Sequence, residues 1–123
     1  MKRELVWLFD LDNTLHDASH AIFPAINRNM NALIARVLES EARPSHPDAG
    51  NAVRIAYWQR YGATLLGMMR HHAVRSEDFL RDAHQFDDLS TMIRAERGTA
   101  RMLRRLPGRK ILLTNAPSSY AHH

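Results

Sequence analysis

The apolar run Leu5-Val6-Trp7-Leu8-Phe9 near the start of the chain stops abruptly at Asp10. A short, unbroken apolar run suits a buried parallel strand, since a helix of the same residues would be longer and gapped. Residues 10–20 are polar and turn-like. From about residue 20 the period changes, and Ile22, Ile26, Met30, Leu33, Val37 and Leu38 recur at helical spacing. Pro24 is tolerable only in a first turn, so this helix should start at residues 20–23 and end by Arg43, ahead of Pro44. Ser45-His46-Pro47-Asp48 reads as a loop leading into a second helix. Ala52, Val53, Ala56 and Tyr57 stripe that helix, and Gly62 should stop it. Thr64–His72 reads as a short third helix. Ser76 is the expected N-cap of a fourth, with Glu77 and Asp78 favourable in its first turn. Residues 85–91 form a polar connector. A last helix runs to Leu106 and closes at Pro107-Gly108. Lys110-Ile111-Leu112-Leu113-Thr114 is then a second strand-like run, and Asn115-Ala116-Pro117-Ser118-Ser119 a loop.

The order is strand, helical block, helix, strand, which defines an α/β organisation. Residues 1–16 and 92–123 would form one core, with residues 17–91 as a helical insertion. Ligands of open α/β sheets bind beyond the carboxyl ends of the strands. The two polar loops, Asp10–Thr14 and Thr114–Ser118, occupy those positions.

Composition narrows the classes. The chain has 123 residues, 45% hydrophobic and 24% charged, the balance of a globular domain. It holds no apolar run of about 18 residues to cross a membrane, and no signal-peptide pattern. Without cysteine it has no disulfides and no thiolate zinc site. These features together suit the cytoplasm. The net charge of +4 draws on a dense basic group: Arg94, Arg97, Arg101, Arg104, Arg105, Arg109 and Lys110. That group reads either as a solvated helix face or as a field that attracts phosphate. No aromatic-basic interleaving points to nucleic acid. The expected partner is a small molecule, with neither nucleic acid nor membrane.

Asp10 and Asp12 are separated by one residue just past a strand end, where a curled chain can turn both toward one ligand. Phosphoryl transfer needs an in-line nucleophile, neutralisation of charge and a proton for the leaving oxygen. One carboxylate can attack and form an aspartyl-phosphate, while the second gives and later takes a proton. Mg²⁺, with its preference for oxygen ligands, suits the same pair. Thr14 can brace the loop through its hydroxyl. Thr114 and the backbone N–H of Asn115 can hold phosphate oxygens. A turn or helix cap is the alternative use of the same acids.

Phe9-Asp10-Leu11-Asp12-Asn13-Thr14-Leu15 resembles motif I of the haloacid dehalogenase superfamily, and Leu112-Leu113-Thr114-Asn115-Ala116 resembles its motif II. The helical block between them is similar to that superfamily's type-1 cap. The resemblance implies a Rossmann-like core with an inserted α-helical cap. It implies Asp10 as nucleophile and Mg²⁺ ligand. Asp12 would be the acid/base, with its backbone carbonyl also on the metal, and Thr114 would bind the transferred phosphoryl group. An acid at position 12 favours phosphate esters over dehalogenation. Tyr57-Trp58-Gln59-Arg60-Tyr61-Gly62, with Leu65, Gly67, Met68 and His71, is similar to the cap of the pyrimidine 5′-nucleotidase branch. That implies UMP or CMP as substrate, with Asn115, Tyr61 and His71 in its binding. For Tyr57, Trp58 and Tyr61 the alternative is cap core, and for His71 and His72 a favoured cation at a helix C-terminus.

The superfamily's motif III Lys or Arg and motif IV acids are expected beyond motif II. No Lys, Arg, Asp or Glu follows Thr114 here. The expectation is therefore the N-terminal half of a longer chain of roughly 220 residues, with little turnover from these residues alone. Sugar phosphates or phosphoglycolate are the alternative substrates. A non-catalytic assembly or binding module is the alternative of another class.

Overall fold

The computed structural model describes residues 3–43 and 48–122. The protein is α/β, mostly helical, with a two-stranded parallel sheet. The elements are β1 (Val6–Phe9), α1 (Ile22–Ser40), α2 (Ala49–Tyr61), α3 (Thr64–His71), α4 (Ser76–Ala83), a 3₁₀ turn (Leu89–Met92), α5 (Thr99–Arg105), β2 (Arg109–Leu112) and α6 (Ser118–Ala121). The loop expected at residues 45–48 falls mostly outside the described residues. The chain divides into two compact units, residues 1–24 with 87–123, and residues 25–86.

The first unit carries the sheet. Val6 pairs with Arg109 and Phe9 with Leu112, in parallel register. Gly108 permits the pairing at close quarters. Its φ is 92°, and a Cβ there would run into the Leu5 carbonyl. The expected burial of both strands is not observed. Leu8, Ile111, Leu112 and Leu113 are exposed, Leu8 and Leu113 at 64%. A parallel pair hides only the edge it shares, and apolar runs of this kind are buried when helices cover both faces. The helices that follow within this unit, α5 and α6, span seven and four residues. The loop expected at Asn115–Ser119 is shorter than anticipated, because Ser118 already begins α6.

The second unit is a helical core. Ile34 and Leu38 of α1, Met68 of α3 and Phe79 of α4 are its buried centre, with Leu33, Val53, Tyr57 and Leu65 packed around them. The period noted at Met30, Leu33, Val37 and Leu38 is the inward face of α1. That helix ends at Ser40, ahead of the limit set by Pro44. Ala42 enters the left-handed region at φ 54°, and the Arg43 N–H reaches back to the Leu38 carbonyl. Gly62 stops α2 as expected, with φ 80° and its N–H on the Trp58 carbonyl. Ser76 is the first residue of α4 rather than its cap. Arg75 holds the cap position, in extended conformation and without a side-chain cap bond.

Two glycines let helices approach. A Cβ at Gly50 would strike the Asn31 carbonyl of α1, and one at Gly67 would strike the root of the Tyr57 ring. Around the latter contact the imidazole of His72 is wholly buried. Its Nδ1 lies 2.8 Å from Glu41 Oε1, and its Nε2 lies 2.8 Å from the Tyr57 hydroxyl. Burial raises the Tyr57 pKa, so the phenol keeps its proton for this bond.

No described helix is long and apolar enough to cross a membrane.

Candidate active site

β1 ends at Phe9, and the chain then curls tightly. The N–H groups of Thr14 and Leu15 both bond the Leu11 carbonyl, at 3.1 and 2.9 Å. Asn13 makes the curl possible. Its φ is 59°, a conformation asparagine tolerates better than most residues. Its Oδ1 accepts from the N–H groups of Ala18 and Ser19, at 2.8 and 3.1 Å. Its Nδ2 donates to the Ser19 hydroxyl. The loop is also tied to the far side of the unit, where the Asp17 N–H bonds the Arg94 carbonyl at 2.7 Å.

The curl gives the two carboxylates different surroundings. Asp10 is exposed, and its Oδ2 accepts from the Thr14 hydroxyl at 3.2 Å. The brace expected of Thr14 thus falls on the acid itself. Asp12 is half-buried, with a side chain 17% exposed. Its Oδ1 accepts from the Tyr120 hydroxyl at 2.6 Å and lies 2.8 Å from His16 Nε2.

Parallel pairing sets the ends of β1 and β2 side by side. A cleft of about 370 Å³ opens there, lined by Leu8, Phe9, Asp10, Leu113, Thr114 and Asn115. Asp10, Thr114 and Asn115 therefore share one cleft, although more than a hundred positions separate Asp10 from the other two. The Thr114 hydroxyl accepts from the Ala116 N–H at 3.1 Å, which holds the loop after β2. A larger cavity of about 600 Å³ has Asn13, Thr14, His16, Ser19, Arg94 and Thr99 among its lining residues.

Tyr61 and His71 belong to the second unit, at the ends of α2 and α3. There they hydrogen-bond each other. Arg60 and Arg70 lie 5.4 and 5.9 Å from the Tyr61 ring centre. His71 also stacks on Tyr57. Of the aromatic residues weighed as cap core, Tyr57 packs on the core, while Trp58 points outward at 60% exposure.

Sequence reasoning missed His16 and Tyr120. His16 lies four residues after Asp12 in a polar segment, a spacing that was available as a signal. Tyr120 carries no local signal at all. Burial first, and the Asp12 carboxylate second, push its pKa well above that of an ordinary tyrosine. The basic group from Arg94 to Lys110 is exposed throughout.

The donor chemistry of the cleft suits a hard cation. Mg²⁺ is commonly held by one or two carboxylates with waters and substrate phosphate completing its shell. Asp10 presents a carboxylate at the cleft, beside a threonine hydroxyl. Among the described residues no group of three or more His, Asp or Glu side chains is placed to hold a metal ion. No family model matches the chain, and no curated protein matches it either.

Proposed function

We propose that this chain carries the nucleophile and the acid/base of a Mg²⁺-dependent phosphomonoester hydrolase of haloacid-dehalogenase type, residues 17–91 being its helical cap. The observation that carries the reading is the cleft at the two strand ends, where Asp10 meets Thr114 and Asn115. Asp10 attacks phosphorus through a carboxylate oxygen, forming an aspartyl-phosphate as the bond from phosphorus to the ester oxygen breaks. Asp12 gives its proton to that departing oxygen. Water then attacks the same phosphorus, Asp12 takes the water's proton, and inorganic phosphate leaves with Asp10 restored. The Thr114 hydroxyl and the Asn115 N–H bind the non-bridging oxygens through both steps. Asp10 would hold the Mg²⁺, together with the Asp12 carbonyl, and the ion when bound offsets the charge of phosphate and carboxylate.

The substrate we propose is a pyrimidine nucleoside monophosphate such as UMP or CMP, with Tyr61 and His71 as binding residues of the cap. The Tyr61–His71 pair, with His71 exposed and Tyr61 half-buried, is flanked by Arg60 and Arg70 and supports an aromatic and anionic ligand there. A second reading, an assembly module, is favoured by the exposed apolar residues Leu8, Leu112 and Leu113 of the sheet. Sedimentation as a clean monomer counts against it.

The test is phosphate release from UMP, CMP, a sugar phosphate and phosphoglycolate with Mg²⁺, using the polypeptide its full reading frame encodes. Expected is release that Asp10→Asn abolishes and that favours the pyrimidine nucleotides. Release that survives Asp10→Asn refutes the mechanism. Preference for another ester refutes only the substrate.

A further inference from the structure

We infer that His16 and Tyr120 are positioning residues for Asp12: by occupying its Oδ1 they leave Oδ2 as the oxygen that gives and takes the proton. The inference rests on the phosphoryl-transfer reading of Asp10 and Asp12 given above.

A carboxylate oxygen offers two in-plane lone-pair directions. At Asp12 Oδ1 both have a partner, the Tyr120 hydroxyl at 2.6 Å and His16 Nε2 at 2.8 Å. Against an ionised carboxylate the imidazole must present an N–H at Nε2. Neither partner is a mobile surface group. Tyr120 is 6% exposed and the His16 side chain 7%.

The other nitrogen of His16 strengthens the case. Nδ1 is buried with no hydrogen-bond partner. A buried polar atom left unpaired costs stability. The ring keeps its place despite that cost, and the bond it makes is the one to Asp12.

The supports converge from both strand ends. The curl after β1 sets His16 over Asp12, and the two residues also meet as an isolated backbone bridge. The loop after β2 leads into α6, where the Tyr120 N–H bonds the Pro117 carbonyl at 3.1 Å. One short segment, residues 114–120, thus supplies the phosphate-side groups of the Asp10 cleft and the hydroxyl that orients Asp12. A carboxylic acid with one oxygen pinned twice can rotate only by breaking both bonds. Its proton is therefore delivered in one direction, which matters only when the leaving oxygen needs a proton.

That dependence supplies the test. The substrates are an alkyl phosphate, whose alkoxide must be protonated to leave, and 2,4-dinitrophenyl phosphate, whose phenolate leaves without a proton. The variants are Tyr120→Phe, which deletes only the hydroxyl, His16→Ala, and His16→Gln, which returns an N–H donor. Circular dichroism verifies that each variant is folded. Expected is a fall in kcat for the alkyl ester that exceeds the fall for the dinitrophenyl ester by roughly tenfold or more, with KM little changed and with partial recovery in His16→Gln. Equal losses on the two esters, or no loss, overturn the inference and reduce the contacts to a loop brace. All variants are made in the polypeptide the full reading frame encodes, and turnover that is absent in that unsubstituted polypeptide, or that survives Asp10→Asn, defeats the phosphoryl-transfer reading itself and takes the inference with it.

Discussion

Gly67→Ala sets two effects of known size against each other. Gly67 lies inside α3, where alanine is favoured over glycine by about 1 kcal/mol. The added Cβ, however, would meet Cβ, Cγ and Cδ2 of Tyr57, the root of the ring rather than its movable end. The ring cannot swing aside without losing its place against the core and its bond to His72 Nε2. Overpacking of this kind costs about 1–3 kcal/mol. Stranding a nitrogen of the wholly buried His72 adds about 1–3 kcal/mol. The collision should win, and Gly67→Ala should destabilise the protein by about 1–5 kcal/mol net. In a Tyr57→Gly background all three of those atoms are gone, and the same substitution should become stabilising by up to about 1 kcal/mol. Urea unfolding followed by far-ultraviolet circular dichroism on the four proteins gives both differences. A stabilising Gly67→Ala in the parent, or an effect whose sign is unchanged without Tyr57, refutes the reasoning.

Three further outcomes follow. Tyr120 has a raised folded-state pKa, so the stability it contributes is complete below about pH 10, the unfolded value, and is lost as pH climbs toward the folded one. The melting-temperature advantage of the parent over Tyr120→Phe should hold up to about pH 10 and shrink above it, and a gap that stays constant or grows above about pH 10 contradicts this. Ala42 sits at φ 54°, where a Cβ is penalised, so Ala42→Gly should raise stability by about 1 kcal/mol in a denaturant titration. Asn13→Ala removes two acceptor bonds and the residue suited to φ 59°, and should cost about 1–3 kcal/mol together with most phosphate release, whereas Asn13→Asp should keep most of the stability.

The parts of the fold legible in the sequence are those set by neighbours in the chain. The spacing of Met30, Leu33, Val37 and Leu38 names the inward face of α1, because a helix repeats its own contacts every turn. Gly62 marks the end of α2, because few residues tolerate its dihedral angles. Asp10, Thr114 and Asn115 could be named as a set because two short apolar runs each ended in a polar loop. Their shared cleft then follows from parallel pairing. Other features depend on partners that local pattern does not encode. Tyr120 reaches Asp12 through α6, a single turn following Pro117, and nothing around it announces that contact. Ala42 is left-handed although alanine is the best helix former, since the turn is set by the bond from Arg43 to Leu38. The exposure of Leu8 and Leu113 was illegible for the opposite reason. An apolar run states that cover is needed, not that it is present.

The pairing of Val6 with Arg109 also bears on how the chain finds its structure. Strands this far apart are slow to meet, since the intervening chain loses freedom before any contact rewards it. The helical unit, by contrast, is one continuous stretch, and its core residues Ile34, Leu38, Met68 and Phe79 lie closer in the chain than the paired strands do. Its two ends are clasped by Asn29, whose Nδ2 donates to the carbonyls of Ala83 and Gln85 at 3.0 and 2.9 Å. Once that clasp is made, residues 25–86 no longer count as slack, and closing β1 onto β2 becomes easier by about 1 kcal/mol. The helices should therefore form first and the strands pair last. Asp10 and Thr114 meet only in that final event, so an intermediate can show most of the native helix signal and still have no cleft.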